Sequence, residues 1–414
     1  MDRGTRGIVT RPRYTAIVLG LYVHIPFCSA ICNYCNFNRG VFDAGLKERY
    51  VTALLSEIRT SGDPSTSLGA GPSTSLGTGG AAADTIFFGG GTPSLLEPAE
   101  IGDVIAACRT SFALAHDAEI TLEANPETIS PERLDGFRAA GINRLSYGVQ
   151  SFRDDELIRL TRLHSASRAA DAFQMARAAG FDNISLDLMM WLPQQSVAHW
   201  LESIDALIAL GPEHASLYML EIYPNAPLRD AMARGRWSVA PDDDVATMYL
   251  SGLDRMDTAG YVQYEISNTA RPGRQSRHNL KYWTDGEWLG FGCGAHSTRN
   301  GVRWKNQSST EEYISAVARG RQGGGQLETE RRVLSADERV EEALFTGLRL
   351  NAGLDLDAVR RRYGVDVWGR FGEELQIFVD ERLLIYDGGS LRLTRAGMLL
   401  AHEIMAVFIR STVR

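Results

Sequence analysis

Residues 22–37 read YVHIPFCSAICNYCNF and place Cys28, Cys32 and Cys35 in the spacing C-x₃-C-x₂-C directly after an apolar run. Three thiols within eight positions are more typical of a metal site than of unrelated packing residues. A zinc ribbon would need a second cysteine pair, which this sequence lacks. Iron–sulfur clusters are commonly held by four thiolates, so three local cysteines would leave one iron open to another ligand. The stretch therefore predicts a cluster with one free coordination position.

The two remaining cysteines are poor candidates for a fourth ligand. Cys108 lies in an apolar helical run and is expected to be a small buried side chain, and Cys293 lies in the close-packed segment FGCGA. Five cysteines in 414 residues are too few for a disulfide scaffold. Their clustering indicates a metal site in a reducing, cytoplasmic compartment.

Composition excludes some classes of function. The chain is 44% hydrophobic and 23% charged, as expected of a globular protein of two or three domains, and its net charge is −8. This charge offers no general attraction for nucleic acid. Residues 1–20 carry four arginines, and the apolar run that follows the arginines resembles that of a signal peptide. Because this run leads straight into the cysteines, we interpret the segment as a basic extension before a buried strand. No apolar run reaches the length of a transmembrane helix, although contact with a membrane surface stays open.

From residue 21 onward, apolar runs alternate with helical patterns. Near-continuously apolar strands separated by helices are typical of a parallel sheet covered by helices. The predicted strands are 21–25, 85–88, 119–123, 144–147, 183–189 and 215–220, and the predicted helices are 46–59, 100–109, 131–140, 167–179 and 199–210. Six such repeats predict an α/β fold with a partial (β/α)₆ barrel, whose ligands bind at the C-terminal ends of the strands.

Two segments interrupt or end this pattern. Residues 64–71 (PSTSLGAG) and 72–79 (PSTSLGTG) are a near-duplicate, rich in Ser, Gly and Thr, which predicts a surface loop inserted at 61–80. After the barrel and its extension, 21–298, the segment 299–414 is expected to be a smaller helical, winged-helix-like domain. Its hairpin at 383–393 turns at Asp387-Gly388-Gly389.

Polar residues and glycines gather where the predicted strands end. Gly89-Gly90-Gly91-Thr92 follows the second strand, Glu123 ends the third, Gln150 follows the fourth and Asp187 lies in the fifth. Any one of them could be a turn or surface residue. Their shared position beside the cysteines predicts a single site, in which the glycines let the backbone approach a ligand closely.

The order of these motifs resembles the radical-SAM superfamily, in which S-adenosylmethionine binds the open iron of a [4Fe–4S] cluster. YVHIPFC, GGGTPS at 89–94, LEANP at 122–126 and GVQSF at 148–152 are similar to the branch that contains oxygen-independent coproporphyrinogen III oxidase and the HemW-type haem chaperones. The resemblance implies Cys28, Cys32 and Cys35 as cluster ligands. It also implies an S-adenosylmethionine site lined by Tyr22, Tyr34, Gly90, Gly91, Thr92, Glu123, Gln150, Arg162 and Asp187. Trp191 departs from the family, which often has glycine there, and its indole would narrow the pocket.

Two features favour the chaperone group within this branch. The oxidase typically carries a further cysteine where this chain has Phe37, and HNLKYW at 278–283 resembles the HNxxYW signature of the chaperones. Imidazole is a usual ligand of haem iron, and flat aromatic rings can stack on a porphyrin. The haem candidates are His278, Asn279, Tyr282 and Trp283.

Two hypotheses follow. The first is a haem chaperone that passes haem to acceptor proteins, with the cluster and S-adenosylmethionine supporting transfer. The second is a radical-SAM enzyme that acts on coproporphyrinogen III or another tetrapyrrole. Either requires an electron donor for the cluster, and a homodimer is possible. Radical-SAM machinery is expected in both cases, whereas coproporphyrinogen oxidation is not expected in the first.

Overall fold

The computed structural model describes residues 18–61, 80–320 and 326–409. Its centre is a series of six parallel strands, each overlapping one predicted from the sequence. In chain order these barrel strands are Leu19–Ile25, Ala82–Gly90, Ala113–Ala124, Arg144–Gln150, Ile184–Met190 and His214–Met219. The five predicted helices are also confirmed: Ala44–Ser61, Pro98–Ser111, Pro131–Ala140, Ala166–Ala178 and Val197–Leu210. A further short helix, Asp154–Arg159, was not predicted.

The strands form because their side chains are buried on both faces of the sheet. Leu21, Val23 and Ile25 in the first strand have no exposed surface, and helices cover that face. The helix Pro131–Ala140 begins and ends at the predicted residues. The Ser130 side chain accepts a hydrogen bond from the Arg133 amide, and Gly141 ends the same helix with φ 111°.

The six strands belong to a twelve-stranded sheet. Trp288–Phe291 pairs in parallel with the first barrel strand and is followed outward by the antiparallel strands His296–Arg299, Val302–Asn306 and Glu328–Val333. At the other edge, Asn268–Ala270 and Val262–Glu265 extend the sheet beyond the sixth barrel strand. The sequence-derived domain boundary at 298/299 falls inside this sheet, and we propose that the larger unit continues to Val333.

The C-terminal part is a separate small sheet packed with helices. Leu354–Asp355, Ser390–Leu393 and Leu384–Tyr386 form three antiparallel strands, and the last two are the predicted hairpin. The Asp387 side chain accepts hydrogen bonds from the amides of Gly389 and Ser390 in its turn. Five helices complete this winged-helix-like unit: Ala336–Gly347, Leu356–Tyr363, Val367–Asp380, Arg395–Leu399 and Ala401–Ala406.

Four further helices connect or cover the sheet: Pro227–Gly235, Asp242–Thr258, Arg277–Trp283 and Thr310–Gly320. Two short parallel strands, Phe27–Cys28 and Gly40–Val41, flank the cysteine loop. In the part of the chain that the structure describes, no helix is both long and apolar enough to cross a lipid bilayer. Most of the predicted basic extension, and the duplicated loop at 64–79, lie outside the described residues.

Candidate functional site

The cysteine loop and the glycine loop meet at the C-terminal end of the barrel strands. The amides of Gly91 and Thr92 donate hydrogen bonds of 2.7 Å to the carbonyls of Ile25 and Phe27. A Cβ at Gly91 would lie 2.7 Å from the Phe27 carbonyl oxygen, and Gly90 has φ 113° against the His24 ring. Glycine is therefore required for this close approach of the two backbones.

These loops enclose a cavity of about 380 Å³, which we call the cysteine cavity. All three cysteines of the motif line it, together with Gly90, Gly91 and Thr92. Cys28 is buried, and its Sγ accepts a hydrogen bond of 3.6 Å from Thr92 Oγ1. Burial raises the pKa of the Cys28 thiol. The three cysteines carry no disulfide.

The cysteine cavity carries thiol groups suited to an iron–sulfur cluster. Within residues 18–61, 80–320 and 326–409, no three His, Cys, Asp or Glu side chains converge on a single-metal site. Thiolates that bind three different irons of one cluster surround its volume and do not meet at a point. Three thiols on the wall of a cavity beside a glycine loop are the donor set that such a cluster needs.

Four polar side chains predicted from strand ends line the same cavity: Glu123, Gln150, Arg162 and Asp187. Burial, and then the neighbouring Asp187 carboxyl, raise the pKa of Glu123 to about 8. Its Oε2 accepts a hydrogen bond of 3.2 Å from the Gly90 amide. The pKa of Asp187 is also raised by burial. The two carboxyls share one neighbouring buried cation, Arg144, and border the cavity, where a positively charged ligand group would be stabilised.

Arg162 supplies a positive charge beside the cysteines. Nη1 lies 3.4 Å from Cys32 Sγ, and Nη2 donates to the Gly148 carbonyl at 2.6 Å and to Asn125 Oδ1 at 2.8 Å. Gln150 has φ 72°, which a non-glycine residue rarely adopts, and its Oε1 accepts a hydrogen bond of 2.6 Å from Tyr218. Backbone strain of this kind is common where a side chain must be aimed at a ligand.

The two predicted tyrosines occupy different places. Tyr34 lines the cysteine cavity. Tyr22 lines a neighbouring cavity and not the cysteine cavity; its hydroxyl hydrogen-bonds His24 Nδ1 at 3.1 Å and its ring is close to Gly89. Trp191 is absent from the lining of the cysteine cavity, and its Nε1 donates to the Ala240 carbonyl at 2.8 Å.

The predicted haem residues do not face one common space. His278 is buried. Its Nδ1 is hydrogen-bonded to Thr85 Oγ1 at 2.8 Å, and its Nε2 is hydrogen-bonded to the Tyr282 hydroxyl at 2.9 Å. Burial lowers its pKa to about 3, so the ring is neutral. Trp283 instead packs under the Arg349 guanidinium, 4.4 Å from the ring centre.

Ser276 caps the helix that carries Asn279, because its Oγ accepts a hydrogen bond of 3.3 Å from the Asn279 backbone amide. An iron could reach His278 only after a ring nitrogen lost its present hydrogen bond. Direct ligation of haem by His278 stays a prediction, as do the roles of the other three residues.

Asn125, Ser216 and Tyr218 are among the polar residues of the cysteine cavity that the sequence did not predict. Asn125 Nδ2 donates to Thr92 Oγ1 at 3.1 Å, and thereby connects the glycine loop to Arg162. The position of Asn125, directly after the third strand, could have identified it. Ser216 and Tyr218 lie within the sixth strand, and only their inward alternation distinguishes them from packing residues.

Comparisons with known proteins agree with this geometry. Residues 76–207 match the Radical SAM superfamily, and residues 334–400 match the HemN C-terminal domain. The chain is 35% identical to "Heme chaperone HemW" of Bacillus subtilis over 94% of this chain and 98% of the relative. It is 36% identical to "Heme chaperone HemW" of Escherichia coli over 80% of this chain and 86% of that protein.

A solved structure has the same fold across nearly the whole chain. The coproporphyrinogen III oxidase HemN of Escherichia coli, described as a radical-SAM enzyme, superimposes with a TM-score of 0.79 and 25% identity. The alignment covers 95% of this chain and 90% of that one.

Proposed function

This chain belongs to the HemW family of radical-SAM proteins, and from that premise we propose that it is a haem chaperone that passes haem to acceptor proteins. Membership of the family implies a [4Fe–4S] cluster and S-adenosylmethionine. The observation that carries the proposal is identity of about one third to chaperone relatives over almost the entire length of both chains.

We place both cofactors in the cysteine cavity. Cys28, Cys32 and Cys35 would hold the cluster, and the site predicted for S-adenosylmethionine would lie between the glycine loop and the polar ring. When bound, the cluster and S-adenosylmethionine together supply one-electron cleavage of the sulfonium. The protein's own part is to exclude water and to orient the ligand.

The charged side chains of the cysteine cavity are suited to the cluster and to S-adenosylmethionine. Glu123 and Asp187 line the cavity where an ammonium or sulfonium group would be stabilised, because the two carboxyls have one neighbouring cation, Arg144, between them. Arg162 lies beside Cys32, where a guanidinium stabilises thiolate and the net negative charge of a cluster.

Phe37 favours the chaperone over the alternative, an oxygen-independent coproporphyrinogen III oxidase. It occupies the position where the oxidase typically has a further cysteine, and 68% of its surface is exposed. A phenyl group there can make apolar contact with a flat ligand or a partner but cannot bind iron. The shared fold with HemN keeps the oxidase as the alternative.

The acceptor proteins and the electron donor would meet the open side of the cysteine cavity. Four apolar side chains are exposed on or beside the cysteine loop: Ile31 at 42%, Phe37 at 68%, Val41 at 61% and Phe42 at 38%. Exposed apolar groups around a cofactor are typical of a surface for transient contacts. A cytoplasmic location, a possible homodimer and contact with a membrane surface remain part of the proposal.

One experiment separates the two functions. Cluster reconstitution without oxygen is followed by haem titration and by an assay for anaerobic conversion of coproporphyrinogen III, with a variant carrying Cys28→Ala, Cys32→Ala and Cys35→Ala. We expect the parent to bind haem without turning over the porphyrinogen, and the variant to lose the broad cluster absorbance. Robust formation of protoporphyrinogen would overturn the chaperone proposal.

A further inference from the structure

A second cavity lies beside the cysteine cavity and shares part of its wall. It has a volume of about 700 Å³, is open to solvent on one side, and is lined among others by Phe37, Arg39, Tyr282, Trp288, His296 and Lys305. We call it the side cavity. Phe37 and Arg39 line both cavities. Its volume falls in the range of roughly 300–1,000 Å³ that is usual for sites of organic ligands.

Two imidazoles line the side cavity, and they differ in their partners. His24 uses both nitrogens, bonding Tyr22 at 3.1 Å and the Asn38 carbonyl at 2.7 Å. His296 is exposed, and neither of its ring nitrogens has a hydrogen-bond partner among the described residues. His296 alone of the two can therefore bind a metal without breaking an existing contact.

The charge state of His296 suits this role. Partial burial lowers the pKa of its imidazole, and the adjacent strand residue Lys305 lowers it further, together with a weaker contribution from Arg303. Glu330 acts in the opposite direction. The ring is neutral at neutral pH, which is the form that ligates iron.

The rest of the lining suits a flat ligand that carries anionic groups. The Tyr282 and Trp288 rings meet edge to face with centroids 4.7 Å apart, and Phe37 adds a third, largely exposed ring. Aromatic walls of this kind pack against planar apolar surfaces. Arg39 and Lys305 are cations within reach of the opening, and Lys305 Nζ lies 3.5 Å from Glu330, a long pair that an anion can displace.

We propose that haem binds in the side cavity and that an imidazole nitrogen of His296 is the protein ligand of its iron. This assignment rests on the proposed haem-chaperone function and names the site for that cargo. Tyr282, a predicted haem residue, would contribute its ring. The shared wall would bring haem next to the cysteine cavity.

The test is haem titration of the full, cluster-reconstituted chain and its His296→Ala variant, followed by optical and electron paramagnetic resonance spectra. We expect the variant to bind haem roughly tenfold or more weakly, because an axial bond is lost, and to lose the histidine-ligated signature. Added imidazole should restore that signature. His402→Ala is the matched control, because His402 is exposed and lies in the C-terminal unit, away from both cavities.

The outcomes distinguish this site from the function itself. Parent-like affinity and spectra in His296→Ala would overturn the ligand assignment while leaving the chaperone proposal intact. Absence of haem binding in the parent would instead overturn the proposed function. Since His296 is on the surface, its variant should retain the parent's cluster absorbance and thermal stability.

Discussion

Nη1 of Arg162 lies 3.4 Å from Sγ of Cys32, so a half-buried cation faces one of the three proposed cluster ligands. The same guanidinium contacts Gly148 and Asn125 at strand ends. It therefore links the cysteine loop to the barrel by charge as well as by hydrogen bonds.

Replacement of Arg162 by methionine should make the cluster harder to reduce. Loss of a positive charge beside a thiolate disfavours the extra electron, and we expect the midpoint potential to fall on the order of 60 mV, a tenfold change in a one-electron equilibrium. Redox titration followed by electron paramagnetic resonance measures it. Arg153→Met, which removes an ion pair with Glu202 on the surface, is the control and should leave the potential unchanged. An unshifted potential in Arg162→Met would contradict this role.

Gly91→Ala should disturb the cysteine cavity without unfolding the chain. The added Cβ would lie 2.7 Å from the Phe27 carbonyl oxygen and 2.9 Å from that of Ile25, so the two loops must separate. We expect S-adenosylmethionine to bind about tenfold more weakly, as measured by calorimetry of the reconstituted protein. Gly102→Ala is matched to it, since its Cβ would meet only Ala140 at 3.7 Å and should leave affinity unaffected. Equal affinities in the two variants would show that the close approach is not needed.

Glu123→Gln should stabilise the cluster-free protein at alkaline pH. The pKa of Glu123 is raised in the folded state, from the usual value of 4.5 to about 8. Such a carboxyl contributes stability that is complete below about 4.5 and is lost as the pH rises through about 8. The amide mimics the protonated form and keeps its contribution throughout.

Urea unfolding at about pH 5 and about pH 9 provides the measurement, and the gain over the parent should be present only at the higher pH. Glu48→Gln, on an exposed helical position, should change neither value. A gain at the lower pH alone would refute the direction of the shift.

His278→Ala should damage folding more than haem binding. The variant loses the hydrogen bonds to Thr85 and Tyr282 and the stacked contact with Phe87, whose ring centroid is 5.2 Å away. We expect a loss of about 2–4 kcal/mol in the free energy of unfolding. Haem affinity should stay within about twofold of the parent at a temperature where both are folded. A large loss of haem affinity with an unchanged free energy of unfolding would instead indicate that His278 binds haem.

The barrel was predictable because its signals are local. Strands such as Leu19–Ile25 are apolar at nearly every position, and helix starts such as Ser130-Pro131 carry their caps in the sequence. The strand-end residues Glu123, Gln150 and Asp187 were found by the same reasoning, since parallel strands bring their C-terminal ends to one edge.

The surroundings of the histidines were not predictable in this way. Whether His278 is buried depends on Thr85 and Glu119, which lie far from it in the sequence and contact it only after the barrel forms. His296 and Lys305 become neighbours through antiparallel pairing of two short strands, for which the sequence has no strong signal. Contacts between residues far apart in the sequence therefore determine which imidazole faces a cavity.

The common wall of the two cavities has a genetic consequence. Phe37 and Arg39 contact both spaces, so a substitution at either position will alter the cofactor site and the side cavity at once. To affect haem binding without affecting the cofactor site, or the reverse, a substitution must be made at a residue that borders a single cavity, such as His296 or Glu123. During evolution, the side chains at positions 37 and 39 must each remain compatible both with the cofactors in the cysteine cavity and with the proposed haem in the side cavity.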